Sequence, residues 1–301
     1  MKDFSARPEG KREWQAVTGL DNQCFTRLLG LCRLAHGHLY GVSFEEKLAK
    51  NPGKIPAKFQ RLEQLLFFTL MVLKSGITFD FAAFLIGFDQ SRAHRQFIKG
   101  VHLLHYTLEV EQLLPLRHIE TPEELAAIFE GYPVLILDAT EQRIQRPQDR
   151  DYQREVYSGK KKHHTCKAMI ISTLDRIVHF LSPAYTGKTH DYSLMKDCFD
   201  PALDWFVGFE VRVDLGYQGF ATNYPGARLH IPYKKPPKKE LTDQQRDKNR
   251  ELARDRIRVE HTIGGIKRYD ILTTPLRIHD FDLYDKVLSV CAGLWNFYIT
   301  R

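Results

Sequence analysis

The stretch that most limits how this chain can fold is residues 133–140, PVLILDAT. Five apolar positions, 133–137, read as a buried strand, and Asp138 follows at the strand's end with no polar transition before it. A carboxylate there needs a partner, because an unpaired buried charge is costly. A cation, a metal or a dense set of hydrogen-bond donors could each supply it.

The 301 residues suffice for one large domain or two, and 43% hydrophobic content is ordinary for a globular chain. The first ten residues carry charges and no apolar signal segment. The longest apolar run, 62–73, is broken by Glu63 and Gln64 and is too short for a bilayer. These features point to a cytoplasmic protein without membrane attachment. Five scattered cysteines without a C-x-x-C pair fit a reducing compartment rather than a disulfide framework or a structural zinc site. The net charge of +7 is concentrated: residues 234–268 hold twelve basic and six acidic side chains. Such a local excess is the footprint of a phosphate-binding surface, although a solvated charged helix has the same composition.

Residues 1–115 read as an all-α domain. Leu62, Leu65, Leu66, Thr69, Leu70 and Leu73 recur at helical spacing, and Phe67, Phe68 and Met71 widen the apolar face into that of a core helix. Residues 77–99 then divide into a short apolar helix at 79–86, a break at Gly87 and a second helix from about Gln90, which is helix-turn-helix spacing. Ser91, Arg92, His94 and Arg95 stand in the first turns of the second helix, where a recognition helix meets bases and phosphates. Ordinary helix pairs share this pattern.

Residues 116–301 change character. A capped helix at 121–129 precedes the Asp138 strand, and the polar stretch 141–164, with Lys160, Lys161 and Lys162 at its tip, reads as a loop or the far end of a hairpin. Strands are expected at 164–173 and 176–183, completing a meander, then a helix at 190–199 and strands at 210–215 and 229–233. Long helices close the chain at about 242–267 and at 281–299. The result is an α/β layer arrangement with a mixed five-stranded sheet, in which the first and fourth strands can be neighbours. Asp214 ends the fourth strand, so Asp138 and Asp214 can pair, sharing a proton or a divalent metal. On the basic helix, Arg256, Glu260 and Lys267 share one face, as an exposed ion-pair ladder or as an acid flanked by phosphate-binding cations.

The succession LDAT, YSGKKKHHTCK, GKTHDYSLMK, VDLGYQGF, IPYKKP and RIRVEHTIGGIKRY resembles the bacterial insertion-sequence DDE transposases of the insertion-sequence-5 group and the related Harbinger-like endonucleases. The resemblance covers more than half the chain, in the family's order. It implies an RNase H-like core, a catalytic and metal-binding triad of Asp138, Asp214 and Glu260, and two Mg2+ ions with Mn2+ as a substitute. Asp191 falls on a family motif as a supporting position or additional metal ligand. Arg256, Glu260 and Lys267 stand at the spacing of the related Y-x2-R-x3-E-x6-K signature, with Ala253 at the tyrosine position.

Arg256, Lys267 and Lys160 to Lys162 would then hold DNA phosphates, and the N-terminal domain would read sequence. The implied activity is cleavage and strand transfer of double-stranded DNA, at transposon ends and target, by a homodimer or larger synaptic complex at the nucleoid. Rivals are a DDE nuclease without strand transfer, a catalytically silent DNA-binding repressor, and a zinc protein built on His163, His164 and Cys166. The last is disfavoured because neighbouring strand residues point to opposite faces.

Overall fold

The computed structural model describes residues 8–51, 58–236, 240–275 and 280–300. Contacts divide the chain into one unit of Met1–Leu114 with Ile266–Arg301 and a second of Pro115–Gly265.

In the first unit, α1 (Lys11–Thr18), α2 (Asn22–Tyr40), α3 (Phe44–Lys50), α4 (Leu62–Ser75), α5 (Phe79–Ile86) and α6 (Gln90–Val110) follow in order. Asp21, Ser43, Thr78 and Asp89 each start a helix by accepting a first-turn N–H, which satisfies a donor the helix cannot. Gly87 ends α5 at φ 66°, a left-handed conformation that costs a glycine little. As its periodicity predicts, α4 is a core helix, with Leu65, Phe68, Leu70 and Leu73 buried. Helix α6 crosses it closely enough that a Cβ on Gly100 would stand 1.8 Å from Thr69 Oγ1.

The last helix belongs to this unit, whereas the sequence places it in the second domain. Val287, Val290, Cys291, Leu294 and Phe297 are fully enclosed, and Asn296 Nδ2 donates to the Leu113 carbonyl at 3.0 Å. A helix apolar on nearly all sides must be surrounded by other elements, and the helical unit surrounds it.

The second unit begins with α7 (Pro122–Ile128) and β1 (Val134–Arg143), then a short α8 (Arg150–Glu155), β2 (Tyr157–Ser158), β3 (His163–Ser172), β4 (Val178–Leu181) and β5 (Tyr185–Thr186). It continues through α9 (Asp191–Cys198), β6 (Glu210–Arg212), α10 (Phe220–Asn223), β7 (Arg228–His230) and α11 (Asp243–Ile266). The helix α12 (Phe281–Ile299) completes the described chain.

The sheet has seven strands rather than five, since the two-residue β2 and β5 both add to β3. The stretch read as loop is likewise shorter, because β1 runs on to Arg143 and α8 follows. Strands β4, β3 and β1 form the expected antiparallel meander, and β6 and β7 extend it parallel to β1. This mixed sheet with flanking helices is compatible with an RNase H-like core. Leu135, Leu137, Met169, Ile171, Val211 and Val213 bury one face against Leu194, Met195 and Phe199 of α9 and its C-terminus. At about 25 cal/mol per Å² of apolar surface, such burial is what holds the strands in a single register.

Candidate active site

Asp138 stands in the middle of β1, where the sequence places it at a strand end. Beyond it Thr140 and Gln142 are buried and keep their places in the ladder with β3, so the strand does not stop at the acid. Asp138 is half-buried, and its Oδ1 accepts the Ala139 N–H at 2.7 Å. Asp214 follows β6 and caps the tight turn Leu215–Tyr217, accepting the Gly216 N–H at 2.7 Å.

Register relates these two acids. Strand β1 pairs in parallel with β6 through Val134 with Glu210, Leu135 with Val211 and Ile136 with Arg212. The pairing stops at Ile136 with Arg212, so each acid lies two residues beyond the last position at which these strands pair. Leu137 and Val213 both enter the core, so alternation turns Asp138 and Asp214 toward the other face.

Asp191 is the first residue of α9, with His190 as the cap. Its Oδ1 lies 2.8 Å from the ammonium of Lys167, and Oδ2 lies 3.9 Å from that of Lys160. Lys167 sits in β3 only 5% exposed, and it also contacts Glu141 at 3.2 Å and donates to the Thr189 carbonyl at 2.8 Å. Glu141 and Lys167 are direct cross-strand partners, so they share a face. Burial alone would lower the ammonium's pKa, but its hydrogen bonds and charge pairing with Asp191 and Glu141 outweigh that and raise it. Asp191 thus serves a buried lysine. Gly216 lies between the groups: a Cβ there would be 2.8 Å from Asp214 Oδ1 and 3.4 Å from Asp191 Oδ2.

Glu260 lies on the exposed surface of α11, beside the buried Val259. The helix buries Leu252, Val259 and Thr262 and is also tied by hydrogen bonds. Asn249 exchanges hydrogen bonds with the Tyr233 backbone at 2.8 and 3.0 Å, and Arg258 Nη1 donates to the Leu174 carbonyl at 2.9 Å. Among the described residues no three Asp, Glu, His or Cys side chains gather as a group able to hold a metal ion. Among the described residues, Asp138, Asp214 and Glu260 thus do not gather as such a group.

The remaining positions are dispersed. Lys160, Lys161 and Lys162 are exposed in the β2–β3 turn. Arg256 lies on α11 and Ala253 is exposed there, while Lys267 just follows the helix. Two of the basic segment's lysines, Lys238 and Lys239, lie outside the described residues. On α6, Ser91 and Arg95 are exposed, Arg92 lies 5.7 Å from the Phe88 ring and His94 packs its ring 4.7 Å from that of Phe79.

Comparison with known proteins matches residues 137–296 to the DDE superfamily endonucleases, more than half the chain. This chain is a member of that family. The match includes Asp138, Asp214 and Glu260. The chain is also 25% identical, over 99% of its own length and 98% of the relative's, to the probable transposase for insertion sequence element IS702 of Microchaete diplosiphon. No solved structure matches it. None of the chain's described helices is long and apolar enough to cross a membrane.

The site also contains residues that sequence reasoning missed. Lys167 is a lone cation inside the apolar strand TCKAMIIST, and the demand for a partner that singles out Asp138 applies equally to it. Tyr217 is fully buried, three residues after Asp214, and its hydroxyl has no hydrogen-bond partner among the described residues.

Proposed function

We propose that this chain is an insertion-sequence transposase that cuts DNA at the ends of its element and joins them to a target, using Asp138, Asp214 and Glu260 as the acidic site. The observation that carries the proposal is the parallel β1–β6 pairing, which ends two residues before Asp138 and Asp214, in a member of the DDE endonuclease family. Two adjacent carboxylates repel one another, and hard oxygen donors suit Mg2+ or Mn2+. A divalent ion bound there supplies Lewis-acid polarisation of the scissile phosphate and activation of the attacking oxygen.

The chain's own residues do the remainder. Asp138 and Asp214, fixed by strand register and by backbone N–H groups, provide a rigid pair of ligands. Glu260 reaches the pair from α11 when DNA is engaged, as the third acid. Arg256, Lys267 and the Lys160 to Lys162 turn bind phosphates, contributing affinity that weakens with salt and carries little sequence preference. The α5–α6 pair serves as a helix-turn-helix, with the exposed Ser91 and Arg95 toward the DNA. Joining two ends calls for a dimer or larger assembly.

The test is incubation of the purified protein with Mg2+ and labelled duplexes carrying the DNA ends that flank its coding sequence. Joined product is the expected result. Cutting without joining would indicate a nuclease of the same fold, and binding without cutting a repressor.

A further inference from the structure

We propose that Gly216 is a positioning residue of the acidic site, whose backbone N–H and missing side chain together hold the Asp214 carboxylate in place; this rests on the assignment of Asp214 to that site. Gly216 and Gly219 follow Asp214 closely, and they are glycines for different reasons. Gly219 has φ 95°, a left-handed conformation that other residues rarely adopt. Gly216 lies in the tight turn Leu215–Tyr217 without a positive φ, so an alanine can follow its backbone. What excludes a side chain there is space. A Cβ on Gly216 would stand 2.8 Å from Asp214 Oδ1, inside van der Waals contact, and 3.4 Å from Asp191 Oδ2. Both carboxylates thus border one small space over the Gly216 Cα.

Asp214 is tied to that space by its own turn. Its Oδ1 accepts the Gly216 N–H at 2.7 Å, so the atom a Cβ would strike is the one the backbone holds. Asp191 closes the other side. Its Oδ1 is 2.8 Å from the ammonium of Lys167, and that lysine, only 5% exposed, is fixed by Glu141 at 3.2 Å and by the Thr189 carbonyl at 2.8 Å. Asp191 cannot give way without disturbing a buried ion pair, which is costly. Asp214 is half-buried beside the exposed Leu215 and Gly216, so its carboxylate is the group that yields. A methyl group at position 216 therefore turns the Asp214 carboxylate and leaves the core intact. A reacting site whose groups are displaced by even a small distance loses much of its rate.

Gly216→Ala in the full-length protein tests this. Three readouts are compared with wild type: the melting temperature without divalent ions, the Mn2+ concentration giving half of the ion-induced melting shift, and kcat and KM for the duplex substrate. The ion-free melting temperature should stay within about 3 °C of wild type, because alanine also restricts the unfolded chain. KM should be unchanged, with half-saturating Mn2+ raised and kcat lowered, each by about 10- to 100-fold. A normal kcat or a normal Mn2+ dependence would overturn the proposal. A larger fall in ion-free melting temperature would overturn it as well, by showing that the glycine serves the fold. Asp214→Asn runs in parallel: if that variant cuts normally, the site assignment itself fails, whereas an inactive Asp214→Asn beside a normal Gly216→Ala removes only the role of Gly216.

Discussion

The second unit holds its acids in two unlike ways. Asp138 and Asp214 follow the paired residues of two neighbouring parallel strands, and each carboxylate is tied to a backbone N–H. Glu260 is carried by a charged helix that buries Leu252, Val259 and Thr262 and bonds to Tyr233 and Leu174 through Asn249 and Arg258. A sheet cannot shift by one residue without turning its apolar side chains outward, whereas an amphipathic helix can slide or tilt at small cost. The difference teaches that two-thirds of the proposed triad is set by folding, and the last third depends on what α11 does when substrate arrives.

The largest effect should come from the sheet. Asp214→Asn keeps the oxygen that accepts the Gly216 N–H, so unfolding stability should be nearly unchanged. Cleavage of a labelled duplex should fall roughly a thousandfold or more, about 4 kcal/mol of transition-state stabilisation. Glu260→Gln should lower cleavage to a similar degree, with no change in denaturant midpoint, since an exposed surface position contributes little to stability. If Glu260→Gln cuts normally, α11 supplies no ligand and the contrast between sheet and helix becomes one between site and scaffold.

The next effect concerns stability rather than rate. Lys167→Met leaves Asp191 and Glu141 without their buried partner and should cost about 3–5 kcal/mol in urea unfolding. The pH dependence has a definite sign. The folded protein raises the lysine's pKa, so its contribution is complete below the ordinary lysine range and is lost as pH rises through the raised value. Wild type should therefore lose stability over that alkaline interval, and Lys167→Met should show a flatter alkaline limb. The smallest effect should be that of Arg258→Ala, which removes one hydrogen bond from α11 to the β3–β4 turn and should cost about 0.5–1.5 kcal/mol.

Much of this architecture is legible in the sequence because it is written in short-range patterns. The apolar run before Asp138, the cap at Thr121, the break at Gly87 and the long period of α12 each announce an element. The neighbouring of the first and fourth strands follows from connection rules. Strand length was less legible, since Thr140 and Gln142 look polar and yet are buried along the ladder with β3. The home of α12 was hidden because an apolar helix declares that it is buried without declaring by what. Lys167 was legible in principle. A cation in an apolar strand needs a partner as much as an anion at its end does.

Asp138 and Asp214 should act as one functional unit, and a double-mutant cycle on DNA cleavage tests this most directly. Asp138→Asn and Asp214→Asn should each abolish Mg2+-dependent cutting while leaving DNA binding intact, and the double variant should be no slower than either single one. Independent losses that multiply in the double variant, or a normal rate in either single variant, would contradict it.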